Sequence, residues 1–374
     1  MNFEKTTIPL IPRTTSNCLD LAIKFYRQHF DHIGELCLSV ALPSGFLVYL
    51  LSVRLEMDVR LTICVLYFAT LPLGVLLIAG STRAVFGESF TPPRESSTKT
   101  ARFSRTAMRL ADGLSVVLFL TIVFDYLAER LGTDLLPTER FQLAVVGMLI
   151  FTLSLRLVLL MIRYARFSPG LIGVLLSGFF RRLAMAIGPG LVMFGEGAFL
   201  VILGLGTSLI TLVFLVRTSF QPEVKFLSRL DRHLGARQAK KLMKSESGDL
   251  FLRSCWIGLF CMLVTFTVFL TVDRGCEILL GFPILWGRLV DVLPTADQYD
   301  GVFPYAVEFT VEVVQFAMSD SRALTVLTAV VMLVYPIGRL AWFFCYLDVR
   351  VRRDLWDLEL QFHQAAEQLE RTSL

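Results

Sequence analysis

Apolar runs long enough to cross a bilayer recur along this chain, separated by short polar segments. Residues 33–53, 61–78, 108–127, 141–162, 255–272 and 324–346 each suit one helical crossing, because about twenty residues at 1.5 Å rise cover the ~30 Å hydrocarbon core. Pro43 can kink the first of them. The pattern predicts an all-α fold, a polytopic α-helical membrane protein with about six full transmembrane helices in a single membrane domain, 1–374. Amphipathic interfacial helices are predicted at both ends. In 15–30, Cys18, Leu21, Ala22 and Phe25 recur at helical spacing opposite Lys24, Arg27 and Gln28, with Ser16 or Asn17 as the cap; such a helix lies in the headgroup region. In 348–372, Val351, Leu355, Leu358, Phe362, Ala365 and Leu369 follow alternating steps of four and three. That heptad seam predicts a cytoplasmic tail helix packed on other cytoplasmic helices or on a sister subunit.

One run does not fit a single crossing. Residues 183–216 are almost wholly apolar, yet they lie between Arg182 and a loop, 217–253, in which nine basic residues stand against four acidic ones. Lysine and arginine near span ends stay on the cytoplasmic side, so a single crossing would put that loop outside. The run makes roughly 51 Å of helix, short of two full crossings plus a turn. Gly188-Pro189-Gly190, Gly195, Gly197, Gly204 and Gly206 supply breaks. The prediction is a Gly-rich re-entrant or paired half-span hairpin that turns near Gly195 to Gly197 and is shielded by other helices.

Charge orients the remainder. The Pro/Ser/Thr-rich linker 86–105 and the cluster Arg163, Arg166, Arg181 and Arg182 read as cytoplasmic. Residues 273–320, with eight acidic and two basic side chains, read as the largest external segment. Inside the basic loop Pro222 suits the start of a helix, and Leu227, Leu230, Leu234 and Leu242 share one face. Both termini then fall in the cytoplasm, with the chain in the cytoplasmic (inner) membrane. The basic residues face anionic headgroups of the cytoplasmic leaflet as their lipid partner.

Composition agrees. Hydrophobic residues make up 55% of the 374 positions and charged ones 18%, with mean hydropathy +0.64, whereas a soluble domain runs nearer half apolar and a quarter charged. The cations flank membrane spans, so nucleic acid is not an expected partner. Seven cysteines lie mostly in apolar runs without a C-x-x-C, which predicts reduced, buried thiols. His29 and His32 flank Asp31 at a spacing a metal could use, though interfacial polar groups are the plainer reading. The first thirty residues hold no cleavable signal, so the first span itself directs insertion.

Chemistry could reside in charges within the spans, each costly unless paired or functional. Arg156 sits between Leu155 and Leu157, Glu196 lies in the Gly-rich hairpin, Arg339 follows Pro336, and Asp112 and Asp125 fall in the third span. Arg156, Glu196 and Arg339 form the candidate intramembrane polar site, read either as an ion or substrate path or as a structural ion pair. Glu308 and Glu312 share a helical face with Gln315, suited to acid–base work, to a cation or to plain solvation. His233 with Ser228 or Ser245 lacks the surroundings of a triad. No nucleophile elbow, zinc-protease motif, phosphate loop or dinucleotide fingerprint occurs, so no catalytic, cofactor or metal residues are predicted.

After the last span, Asp348, Arg350, Arg352, Arg353, Asp357 and Glu359 form an acidic residue, alternating basic residues and then Asp-Leu-Glu. This run resembles the closing signature of a broad group of bacterial multi-pass proteins, related to the membrane domain attached to some glycerophosphoryl diester phosphodiesterases. Leu355 stands where that pattern commonly has Gly, and Asp354 where it has Glu. Arg13 before an amphipathic helix, then a first span with Pro43, also fits. No segment is long and polar enough for the soluble phosphodiesterase barrel, so the resemblance implies a membrane module without the hydrolase. Physically, Asp348, Arg350, Arg352, Arg353 and Asp357 make a candidate interfacial motif that fixes the angle between span and tail. The functional expectation is a non-enzymatic scaffold or partner subunit acting through cytoplasmic helices and the Arg-rich tail. The alternative is a transporter or permease component with a polar site around Glu196 and Arg156.

Overall fold

A computed structural model of the chain describes residues 13–49, 51, 59–87, 90, 106–107, 110–118, 121, 139–167, 170–194, 202–204, 206–207, 220–227, 247–280 and 320–354. The fold is all-α, with no strand among the described residues. In chain order the helices are α1 (Thr15–Gln28), α2 (Phe30–Tyr49), α3 (Val59–Val85), α4 (Glu139–Phe167), α5 (Leu171–Phe194), α6 (Gln221–Leu227), α7 (Ser247–Leu280) and α8 (Ser321–Asp354). A further stretch, 110–118, is helical and packs on α4 through Leu118 against Val145, Leu149 and Leu153. Five helical segments are long and apolar enough to span a membrane: Tyr67–Val85, Ala144–Ala165, Leu171–Leu191, Gly248–Ile278 and Ala323–Arg352.

The bundle is built around α8. Helices α1, α2, α3 and α7 all pack on it, and every residue from Ala341 to Leu347 is buried. That part of α8 is apolar all round, as a helix enclosed on every side must be. Helix α7 runs antiparallel to it. Arg253 of α7 meets Asp348, Cys261 lies beside Gly338, and Phe269 clusters with Val330. Helices α3 and α5 are likewise antiparallel, with Leu71 against Gly178 and Tyr67 against Arg182. Small residues permit these crossings: a Cβ at Gly338 would stand 2.7 Å from Cys261 Sγ, and one at Gly178 2.8 Å from Leu71 Cδ1.

The outward faces show what solvent the fold requires. Met148, Phe151, Leu155, Val158 and Ile162 form an exposed stripe on α4, and Ile172, Leu176, Phe179, Phe180, Leu183 and Ile187 form another on α5. Helix α7 exposes Trp256, Leu259, Met262, Leu263 and Phe266. Contiguous large apolar surface of this kind is stable in lipid and not in water.

Several expectations are refined. Thr14, and not Ser16 or Asn17, caps α1: its Oγ1 accepts the Asn17 N–H at 3.3 Å. The apolar face of α1 is buried in the protein, with Cys18, Ala22 and Phe25 in the main core and Phe25 against Phe344 of α8. Amphipathicity reports that a face must leave water; it does not choose between lipid and protein. Arg181 and Arg182 lie in the middle of α5, which begins at Leu171 and continues through Gly188-Pro189-Gly190 to Phe194. Neighbouring helices and side chains re-satisfy a backbone interrupted by proline inside a membrane bundle. The predicted turn near Gly195 to Gly197, Asp125, the linker 91–105, His233 and most of the basic loop, Glu308, Glu312 and the tail beyond Asp354 fall outside the described residues.

Candidate functional site

Three charged centres stand out among the described residues of the bundle, and they differ in what surrounds them. The first contains Arg156. Its Nε stands 2.6 Å from Asp112 Oδ1 and its guanidinium 3.9 Å from Glu35. Both carboxylates are about two-fifths exposed and the arginine is about one-fifth exposed. Beside it Ser115 donates to Thr152 at 3.1 Å. These contacts fasten 110–118 and α2 to α4. Of the other two predicted members, Arg339 belongs to a separate pair, and Glu196 is outside the described residues.

The second centre is Asp348, which is 2% exposed. Its Oδ2 accepts from Arg253 Nη1 at 2.7 Å, and its Oδ1 accepts from Arg352 Nε at 3.1 Å and from the backbone N–H of Arg13. Arg253 also reaches Asp249 Oδ2 at 2.7 Å, and Arg352 donates to the Arg13 carbonyl. The start of α1, the first turns of α7 and the last turns of α8 therefore share one end of the bundle. Of the predicted interfacial motif, Asp348 and Arg352 meet here. Arg350 is half-buried, while the Arg353 side chain and Asp357 lie outside what is described. Asp348 pairs locally with Arg352, four residues on in the motif, and across the bundle with Arg253, which the motif does not contain.

The third centre opens on a cavity of about 490 Å³ between α3, α5, α6, α7 and α8. Its walls are mainly apolar, among them Leu71, Val75, Ile257, Val334 and Trp342. Its polar side is made by Tyr67, Arg181, Arg182, Tyr335 and Arg339. Arg182 donates through Nη1 to the Tyr67 carbonyl and, at 2.6 Å, to Thr70 Oγ1, and its guanidinium lies 5.0 Å from the Tyr67 ring centroid. Arg339 Nη2 stands 2.6 Å from Oε1 of Glu223, a fully buried carboxylate that also feels Arg181.

Glu223 gets there because α6 is tucked into the bundle. Pro222 occupies the second position of α6, where its missing N–H costs nothing. Phe220 stacks on Trp342 with centroids 4.8 Å apart and leans on Tyr346 at 5.1 Å. That aromatic anchor carries the next turn inward. Burial pushes the Glu223 carboxyl above its usual range, and the Arg339 guanidinium pulls it back. The contact is an ion pair without hydrogen-bonding angles: among the described residues neither Glu223 oxygen accepts a well-formed hydrogen bond. Sequence reasoning counted Glu223 as one of four acids in a basic loop and Arg181 and Arg182 as flanking charge. The available signal was Phe220 and Pro222 just ahead of a lone acid.

The described residues hold no group of three or more metal-ligating side chains. His29 and His32 instead lie against Phe90, with ring centroids 5.6 and 6.0 Å away. Comparison with known proteins finds no matching family model, curated protein or solved structure.

Proposed function

We propose that the chain is a non-enzymatic, multi-pass protein of a bacterial inner membrane that takes up a membrane-borne ligand in the cleft beside Arg339. It serves as the binding or permease component of a membrane system. The observation that carries this reading is the cleft itself. It has the volume of a small-molecule site, apolar walls, and guanidinium groups that a purely structural bundle has no need to gather. The polar site accordingly centres on Arg181, Arg182, Arg339 and Glu223 and not on Arg156. The full chain, extracted in mild detergent, is expected to carry a small molecule visible by native mass spectrometry. A bulky side chain at Gly258, where an added Cβ meets nothing within 4 Å, should remove it. Finding no bound species, or one indifferent to Gly258→Phe, would end this reading.

The finer topology follows the same logic. Six full crossings are joined by a pair of further crossings in place of a re-entrant dip, with both termini cytoplasmic. Leu171 lies at the Asp348 end of the bundle, because α5 runs opposite to α3, and Phe220 returns near that end beside Tyr346. A helix over residues 171–216 would measure roughly 69 Å, enough for two ~30 Å crossings. A cysteine placed at Lys240 should resist labelling from outside intact cells, and one at Asp297 should label; the reverse pattern would overturn the orientation.

A second reading has its own observation. The Asp348 centre fixes the direction in which α8 leaves the bundle, as a scaffold that presents a tail helix requires. Deleting residues 355–374 should then abolish capture of a protein partner while leaving the ligand in the cleft.

A further inference from the structure

Two thiols meet where α1 docks on α8. We infer that Cys18 and Cys345 form a reversible disulfide, a modification site that fastens α1 to α8 when a peroxide reaches this end of the bundle. The inference stands apart from the cleft and from any ligand in it.

Cys18 lies in the first turns of α1 and Cys345 in the enclosed run of α8, and both are fully buried in the main core. Their side chains are in hydrogen-bond contact. The register that brings them together is fixed on both sides. Toward the start of α1, the Arg13 N–H donates to Asp348, and Arg352 donates to the Arg13 carbonyl. Toward its end, the Phe25 ring meets Phe344 edge-on with centroids 5.6 Å apart. A thiol is a weak donor and a weak acceptor, so the contact itself holds the helices only slightly. What it does supply is a nucleophile with a resolving partner beside it.

The surroundings select which sulfur reacts first. Arg253, which donates to Asp348 at 2.7 Å, also reaches Cys345, and a guanidinium beside a thiol favours thiolate. The hydrogen bond from Cys345 lowers the Cys18 thiol below its ordinary value, against burial and the Asp348 carboxylate, which raise it. Cys18 also sits on the lighter element. Helix α1 has fourteen residues and leaves Asn17, Asp20, Lys24 and Arg27 exposed, so it opens locally at less cost than a spanning helix. A small uncharged peroxide then reaches the sulfur.

The Cys18 thiolate attacks one oxygen of hydrogen peroxide and the O–O bond breaks. The departing hydroxide takes up the proton that Cys18 gave up, leaving a sulfenic acid and one water. The Cys345 sulfur next attacks the Cys18 sulfur. The S–O bond breaks, and hydroxide leaves with the Cys345 proton as the second water. Two thiols are oxidised to one disulfide, and the peroxide is reduced to two waters. An external thiol reverses the bond by exchange.

The test treats the full chain in lipid vesicles with hydrogen peroxide, then blocks the remaining thiols with N-ethylmaleimide in denaturant and maps the digest by mass spectrometry. The peptide holding Cys18 should be joined to the one holding Cys345, and dithiothreitol should separate them. The joined protein should melt several degrees above the reduced one. Hydrogen exchange across residues 15–28 should slow roughly tenfold or more. Cys345→Ser should stop Cys18 at the sulfenic acid, which dimedone captures. Exposed Cys255 is the control for sufficient oxidant. Recovering Cys18 and Cys345 as maleimide adducts from protein whose Cys255 is oxidised would overturn the inference, and the unsubstituted chain decides this without any variant. A bond from either sulfur to a different cysteine, or one that forms only when the oxidant is added to unfolded protein, would do the same. A Cys18–Cys345 bond that left melting and exchange unchanged would overturn the fastening of α1.

Discussion

Two buried arginine centres sit on the same helix, roughly 13 Å apart along its axis, and they are built to opposite plans. At Asp348, Arg253 and Arg352 face two carboxylates, Asp348 and Asp249, and the Arg13 backbone closes the remaining side. Charge is balanced, the acid accepts three hydrogen bonds, and three separate parts of the chain are tied together. At Arg339 the plan differs: Arg339 pairs with Glu223, whose oxygens lack well-formed hydrogen bonds among the described residues, and a cavity lies alongside. Burying a charge is costly unless it is paired and hydrogen-bonded. The first centre meets that cost and is structural. The second pairs its charges beside an open cavity and with poorer hydrogen-bond geometry.

The comparison is broken most directly by removing each acid. Asp348→Ala should cost ~3–5 kcal/mol, since Arg253, 5% exposed, is left as a buried cation without its main partner. It should also loosen α1 from α8. Unfolding in denaturant together with hydrogen exchange at residues 15–28 checks both parts. Glu223→Gln removes a carboxylate with weaker geometry and should cost clearly less. If the two losses were equal, the distinction between a lock and an open site would collapse.

Glycines sharpen the same contrast by packing alone. Gly338 and Gly258 both line the cleft, but of the two Gly338 alone has a neighbour within 3 Å of a would-be Cβ. Gly338→Leu should force α7 from α8 at a cost of ~1–3 kcal/mol. Gly258→Leu grows into open volume and should leave the melting temperature unchanged or slightly raised. A comparable loss at both positions would mean that the cavity is not free space.

How far the sequence disclosed this depends on the kind of signal. Membrane class, α1 and the spans of α3, α4, α7 and α8 were legible because they rest on length and hydrophobicity, properties of single segments. The start of α5 was not. Arg181 and Arg182 look like the end of a span to any local reading, and residues distant in sequence, Tyr67 and Thr70 for Arg182 and Glu223 near Arg181, help to make them tenable inside a helix. Arg339 was singled out as a costly intramembrane charge, correctly as to cost, but its partner came from a loop whose surplus of lysine and arginine hid one acid. Asp348 carried a recognisable local motif, and its pairing with Arg352 could be foreseen at a separation of four. Its pairing with Arg253 is a tertiary fact that no spacing contains.

Acidity gives the finest test. A carboxyl whose folded pKa is raised, as burial does to Glu223, binds more protons in the folded than in the unfolded state. Its contribution to stability is therefore present below the unfolded value of about 4.3 and is lost as pH rises from there through the folded value. Glu223→Gln should remove that slope. His29 works in the other direction and more weakly. Burial, and then the nearby His32, hold its pKa below the ordinary value, so the unfolded chain takes up the proton first. Stability should fall slightly as pH drops through about 6.5. His29→Phe, which keeps a ring against Phe25 and Phe90, should flatten that decline. Melting curves from pH 4 to pH 8 on the two variants would show opposite changes in slope. A common change would mean that neither group titrates in the surroundings drawn here, and that Glu223 is not the buried counter-charge on which the open character of the Arg339 centre depends.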